Sequence, residues 1–127
     1  MPLVRISLMQ GKPAHFGNKV GDIVYQAMRT TIHIPENDHF QVITEHDPTS
    51  LIYDPTYLDM KCTDGFLVIQ ITLNEGRTLE QKKGLYQEIA HQLHAVLGVR
   101  PEDVFINLVE VKKENWSFGN GIAQNGQ

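Results

Sequence analysis

FLVIQITLNEGRTLEQK, residues 66–82, changes its periodicity partway along. From Phe66 to Leu73 the side chains are nearly all apolar, broken only by Gln70 and Thr72, which is the composition of a strand. Gly76-Arg77 then turns the chain. Thr78 followed three residues later by Gln81 has capping-box spacing, so a helix is predicted to start there. Its apolar stripe continues as Leu85, Ile89, Leu93, Val96 and Leu97, and Gly98 suits a left-handed stop. Pro101-Glu102-Asp103 makes a turn, and Val104 to Val111 is extended again. The segment predicts strand, helix, strand.

The same pattern occurs earlier in the chain. A shift of 65 positions lays residues 5–46 over 70–111 without a gap, pairing Ile6/Ile71, Leu8/Leu73, Gly11/Gly76, Asp38/Asp103, Phe40/Phe105 and Glu45/Glu110. Similar pairs join them, among them Ser7/Thr72, Lys12/Arg77, Val20/Leu85 and Ile34/Val99. In this first copy Val4, Ile6 and Leu8 alternate with Arg5 and Ser7, as in a half-buried strand. Phe16, Val20, Ile23, Val24, Ala27, Met28 and Ile32 recur at helical spacing. Pro35-Glu36-Asn37-Asp38 is a turn, and Phe40 to Glu45 is extended.

An α+β fold follows: two β-α-β repeats forming a four-stranded sheet with two helices on one face. One domain spans 1–127, with repeats at about 2–46 and 66–111, a linker at 47–65 and a tail at 112–127. Each crossover is long enough for parallel strands within its unit. The bare face of the sheet is expected to be apolar and therefore covered by other subunits. The linker, with Asp47-Pro48, Asp54-Pro55, Tyr53 and Tyr57, reads as a loop. The tail, with Trp116, Phe118, Gly119, Gly121 and Gly126, is expected to fold back onto the body.

Composition narrows the class. At 127 residues the chain can bury roughly two-thirds of the surface it exposes when unfolded. Apolar residues at 41% and charged residues at 20% exclude a disordered or fibrous chain. Eleven basic against fifteen acidic side chains give −4, with no basic cluster, which argues against nucleic acid. The run from Phe66 to Leu73 is too short to span a bilayer. The start, Met1-Pro2-Leu3-Val4-Arg5, lacks a basic region followed by an apolar stretch, so no signal peptide is expected. Cys62, the single cysteine, cannot form an internal disulfide. A soluble, cytoplasmic protein is expected.

Pro2 is the first chemical candidate. Methionine is normally removed before a small second residue, and removal here leaves a secondary amine at the chain start. An ordinary α-amino group has a pKa of about 8. Burial beside a cation lowers it, and a base poised near neutrality suits proton transfer. Against this, Met-Pro is a common accident of chain starts. Arg77 stands in Asn74-Glu75-Gly76-Arg77-Thr78, between strand end and helix start, where ligands of strand–helix units gather. Its guanidinium can grip a carboxylate with two parallel bonds, or it can be an ordinary surface arginine. Asp38 and Asp103 both occupy the turn before a strand. Local Asx-type capping is the expected role of Asp103, whereas Asp38, followed by His39, could orient water or a proton. His91 and His94 lie three apart on a helix without a third ligand, so no metal is expected. Cys62 has no partner motif that would make it a nucleophile.

Together these residues resemble the tautomerase superfamily, small proteins of paired β-α-β units that use an amino-terminal proline. The likeness rests on Met1-Pro2-Leu3 leading into a strand, Gly76-Arg77-Thr78 before Glu80-Gln81-Lys82, and the ungapped duplication. Within it, the long-subunit group resembling malonate semialdehyde decarboxylase shares a turn like Pro35-Glu36-Asn37-Asp38 and a tail like Trp116-Ser117-Phe118-Gly119. The resemblance implies that Pro2 is general base or acid, that Arg77 with Asn74 binds a substrate carboxylate, that Asp38 handles a proton or water, and that Trp116 and Phe118 wall the pocket. It also implies a homotrimer acting on a small-molecule carboxylate without a cofactor. Decarboxylase-like members carry arginine ahead of the position of Arg77, where this chain reads Leu73-Asn74-Glu75. The implied reaction is keto–enol tautomerisation of a small 2-oxo acid or hydroxydienoate. The alternatives are a decarboxylase or hydratase with Asp38 activating water, and a non-catalytic oligomeric ligand-binding module.

Overall fold

The computed structural model describes residues 2–125; the expectations concerning Met1 and the tail glycine Gly126 lie outside the described residues. The first unit comprises β1 (Leu3–Met9), α1 (Phe16–Thr31) and β2 (Phe40–His46). The second comprises β3 (Leu67–Asn74), α2 (Leu79–Leu97) and β4 (Val104–Val111). The sheet runs β2-β1-β3-β4. Strands are parallel within each unit, and β1 meets β3 antiparallel. The two repeats therefore join through their first strands.

Alternation explains why β1 and β3 are central. Val4, Ile6 and Leu8 interleave with Leu67, Ile69, Ile71 and Leu73, all buried on the helical face. Val20, Val24 and Met28 of α1 and Leu85, Ile89 and Leu93 of α2 close that core. On α1, Gly17 lets the helix approach β2, since a Cβ there would stand 2.7 Å from Cγ2 of Ile43. On α2 the predicted capping box is complete. The Thr78 side chain accepts from the Gln81 amide at 3.2 Å, and the Gln81 side chain accepts from the Thr78 amide at 2.9 Å. Gly98 ends the helix at φ 68°, where glycine carries no Cβ penalty. Val96 departs from the expected stripe. It is 62% exposed, an isolated surface apolar of the kind most folded proteins carry.

The other sheet face carries Phe40, Val42, Phe105 and Val109, all exposed, around a polar pair in which Nε2 of Gln70 donates to Oδ1 of Asn107 at 3.0 Å. The linker is ordered by Asx turns at Asp47 and Asp54, which accept from the amides of Thr49 and Thr56 at 2.8 and 2.9 Å. Among the described residues, no helix is long and apolar enough to cross a membrane.

The role expected of Asp103 needs correction. Its carboxylate, 1% exposed, does not cap its own turn. It reaches across to the linker, where Oδ1 accepts from the Thr63 amide and Oδ2 from the Thr63 hydroxyl, both at 2.6 Å. A buried carboxylate needs donors, and in this copy the preceding chain supplies them.

Candidate functional site

Sheet register gathers the candidate residues at one end of the molecule. Leu3 pairs with Phe40 on one side and Thr72 on the other. One step outward, Pro2, which is buried, falls at the register position between His39 and Leu73. Asp38, 8% exposed, is the next residue back on the β2 side, and its amide donates to the Pro35 carbonyl at 3.2 Å. On the β3 side the chain runs through Asn74 into the loop that carries Arg77. Asn74 also pairs with Val111, the last residue of β4, from which the tail leaves. A parallel strand pair starts or ends at the same edge, so the duplication brings these segments together.

The contacts among them are specific. Nη1 of Arg77, which is half-buried, donates to the Asn74 carbonyl at 3.0 Å, its one side-chain hydrogen bond among the described residues. Nε1 of Trp116 donates to Oδ1 of Asn74 at 2.7 Å. The rings of Trp116 and Phe118 stack with centroids 5.8 Å apart at 20°. The tail does fold back, as expected. A cavity of about 550 Å³ beside it is lined by Asn74, Glu75, Val111, Lys112, Lys113, Glu114 and Asn125. Of the expected site residues, only Asn74 is on that wall.

Two features went unread in the sequence. The His39 ring stacks on Tyr25 of α1, centroids 4.3 Å apart at 9°. Nζ of Lys82 bonds Oε1 of Glu110 at 2.6 Å. That ammonium holds the Glu110 carboxyl below the usual glutamate range, helped by the Gly76 amide and the charge of Arg77. The available signals were the Glu80-Gln81-Lys82 motif and the Glu45/Glu110 identity.

Elsewhere, Nδ1 of His94 lies 3.2 Å from the Val99 carbonyl at the end of α2. Among the described residues, no group of three or more His, Cys, Asp or Glu side chains could hold a metal ion. Burial pushes the Cys62 thiol up, and its Sγ donates to the Glu102 carbonyl at 3.2 Å.

An α+β fold in which two β-α-β units form one four-stranded sheet is the architecture of tautomerases. A family model described as tautomerase enzyme matches residues 38–119. The chain belongs to this tautomerase family. Probable tautomerase YusQ of Bacillus subtilis (strain 168) is 46% identical over 124 residues, 98% of each chain. Probable tautomerase YrdN of the same organism is 29% identical over 98% of this chain and 95% of its own. Among solved structures, FG41 malonate semialdehyde decarboxylase inhibited by 3-bromopropiolate is 34% identical. It superposes with a TM-score of 0.88 over 96% of this chain and 92% of that one. A fused 4-OT, described as a wild-type symmetric trimer, has a TM-score of 0.77 at 21% identity over 94% of each chain, a likeness of fold alone.

Proposed function

We propose that the protein is a tautomerase that interconverts keto and enol forms of a small 2-oxo acid or hydroxydienoate, with Pro2 as general base and acid once Met1 is removed. The observation that carries this reading is the sheet register: Pro2 lies buried between His39 and Leu73, with Asp38 behind one and Asn74 and the Arg77 loop beyond the other. Neutral Pro2 nitrogen takes the proton from the enol oxygen and its conjugate acid returns it at carbon, giving the keto form; in reverse it takes the proton from carbon beside the carbonyl and returns it at the oxygen. Arg77, with Asn74, holds the carboxylate and stabilises the dienolate as charge develops. Trp116 and Phe118 exclude water, which strengthens both effects. Each step moves only protons, so the reading assigns no cofactor. It also takes the working form as a cytoplasmic homotrimer with sites between subunits. The exposed Phe40, Val42, Phe105 and Val109 on the open sheet face support an assembly.

The second reading is a decarboxylase or hydratase in which Asp38 activates water. It is favoured by the 0.88 superposition on a malonate semialdehyde decarboxylase at 34% identity. The run Leu73-Asn74-Glu75, without arginine, favours tautomerisation. Turnover of phenylenolpyruvate by wild type and Pro2→Ala tests the proposal. Loss of about a hundredfold or more in kcat/KM supports it, and undiminished turnover rejects it. Release of carbon dioxide from malonate semialdehyde that is lost in Asp38→Asn would establish the second reading instead. A Pro2 amine with an ordinary pKa and no turnover of either substrate would leave a non-catalytic ligand-binding module.

A further inference from the structure

We propose that Lys82 and Glu110 are a positioning pair that pins the Gly76–Arg77 loop and keeps the Arg77 guanidinium available for a carboxylate. This rests on the reading that Arg77 binds the substrate carboxylate.

Consider what holds that loop. Gly76 sits at φ +125°, a conformation that side-chain-bearing residues rarely adopt, so the turn is built on a residue with no side chain to pack. On one side the Glu75 amide donates to the Val111 carbonyl at 2.9 Å. On the other, the capping box fixes Thr78 as the N-cap of α2. Arg77 lies between these anchors. Lys82, just beyond the first turn of α2, reaches back 2.6 Å to Glu110 near the end of β4, bridging the helix that follows the loop to the strand paired with β3. The Gly76 amide, at the start of the loop, helps Lys82 hold that carboxyl below the usual glutamate range. One pair thus ties helix to strand on the side where the Glu75 amide already anchors the loop to Val111.

The internal duplication shows that the device is confined to the arginine-bearing copy. Gly11, Lys12 and Glu45 match Gly76, Arg77 and Glu110, but the counterpart of Lys82 is Gly17. Gly17 has no room for a lysine, since even a Cβ there would stand 2.7 Å from Ile43. The first copy keeps the glycine turn and the glutamate and cannot build the bridge.

Electrostatics gives the pair a second task. The charge of Arg77 also acts on the Glu110 carboxyl, lowering its pKa. Left alone, that carboxylate would compete with a substrate carboxylate for the guanidinium. The Lys82 ammonium neutralises that competitor. Removing Lys82 therefore harms carboxylate binding in two ways, and removing the Glu110 charge as well undoes one of them.

The test uses the full chain and two readouts. Trp116, the only tryptophan, hydrogen-bonded to Asn74, reports binding of pyruvate by its fluorescence. Amide exchange at Gly76, followed by NMR, reports the loop. For Lys82→Met the expected result is faster Gly76 exchange and a pyruvate Kd raised at least about threefold, with the cooperative unfolding transition retained. Lys82→Met combined with Glu110→Gln is expected to recover part of that affinity. Unchanged exchange at Gly76, or faster exchange with an unchanged Kd, overturns the proposal. If wild type and Arg77→Ala respond identically to pyruvate, the role of Arg77 itself fails, and the proposal with it. Weaker binding by Arg77→Ala but not by Lys82→Met sinks the pair alone.

Discussion

Nε1 of Trp116 donates to Oδ1 of Asn74 at 2.7 Å, joining the tail to the end of β3 across 42 residues of sequence. The bond does for the tail what a ladder bond does for a strand: it fixes where an otherwise irregular segment lies. Asn74→Ala would leave a partly buried indole N–H without its acceptor, a loss of about 1–3 kcal/mol. Chemical unfolding should show that loss, and the KM for an enol carboxylate should rise as Trp116 and Phe118 shift. Asn74→Asp, which keeps the acceptor, should retain most of the stability. Equal behaviour of the two variants would contradict the assignment.

Asp38 and Asp103 occupy matching positions and should answer differently to mutation. Asp103 spends its carboxylate on Thr63, so Asp103→Ala is predicted to cost about 3 kcal/mol or more, from two hydrogen bonds to a buried charge. Its specific activity per folded molecule should be preserved. Asp38→Asn should instead change turnover more than stability. Denaturant midpoints and initial rates on the same preparations decide it, and the reverse pattern would refute the division of roles.

Thr78 supplies half of a reciprocal cap at the helix start next to Arg77. Thr78→Ala should lower stability by about 1 kcal/mol, and Thr78→Ser should restore most of it. Because the cap borders the loop that carries Arg77, the proposed function predicts that the alanine variant also shows a raised KM, whereas a variant remote from the loop with equal destabilisation should not. Paired thermal melts and saturation curves would make the comparison.

The Glu110 carboxyl is held below the usual glutamate range, chiefly by Lys82. The sign follows from linkage. A group whose folded-state pKa is depressed stabilises the fold above its unfolded value, and that contribution disappears as the pH falls through the folded value. The Tm advantage of wild type over Glu110→Gln should therefore be present at neutral pH. It should shrink on acidification through and below the ordinary glutamate range. A difference that stays constant across that range would show that the charge of Glu110 plays no part.

Much of this was legible from residues alone, for reasons that can be named. The capping box at Thr78, the glycine stop at Gly98 and the alternation of β1 are local signals, and each lies where the sequence put it. The 65-residue duplication made two β-α-β units foreseeable. It did not say that the units meet through β1 and β3, which follows from the burial of both strands. Asp103 misled because its partner, Thr63, is 40 residues away in a linker with no periodic signal. Lys82 and Glu110 were visible as a motif and a repeat identity, but their contact is made only when α2 packs back across β4. The stack of His39 on Tyr25 is likewise tertiary.

The state of the nitrogen of Pro2 tests the central claim most directly. A ¹⁵N NMR titration of intact-mass-verified protein isolated from its native host measures it. The expected result is a free secondary amine that titrates below the ordinary α-amino value of about 8, with kcat/KM for an enol substrate rising with pH along the same curve. Retention of Met1, leaving an amide that does not titrate, or an ordinary amine pKa unconnected to the rate profile, would contradict it.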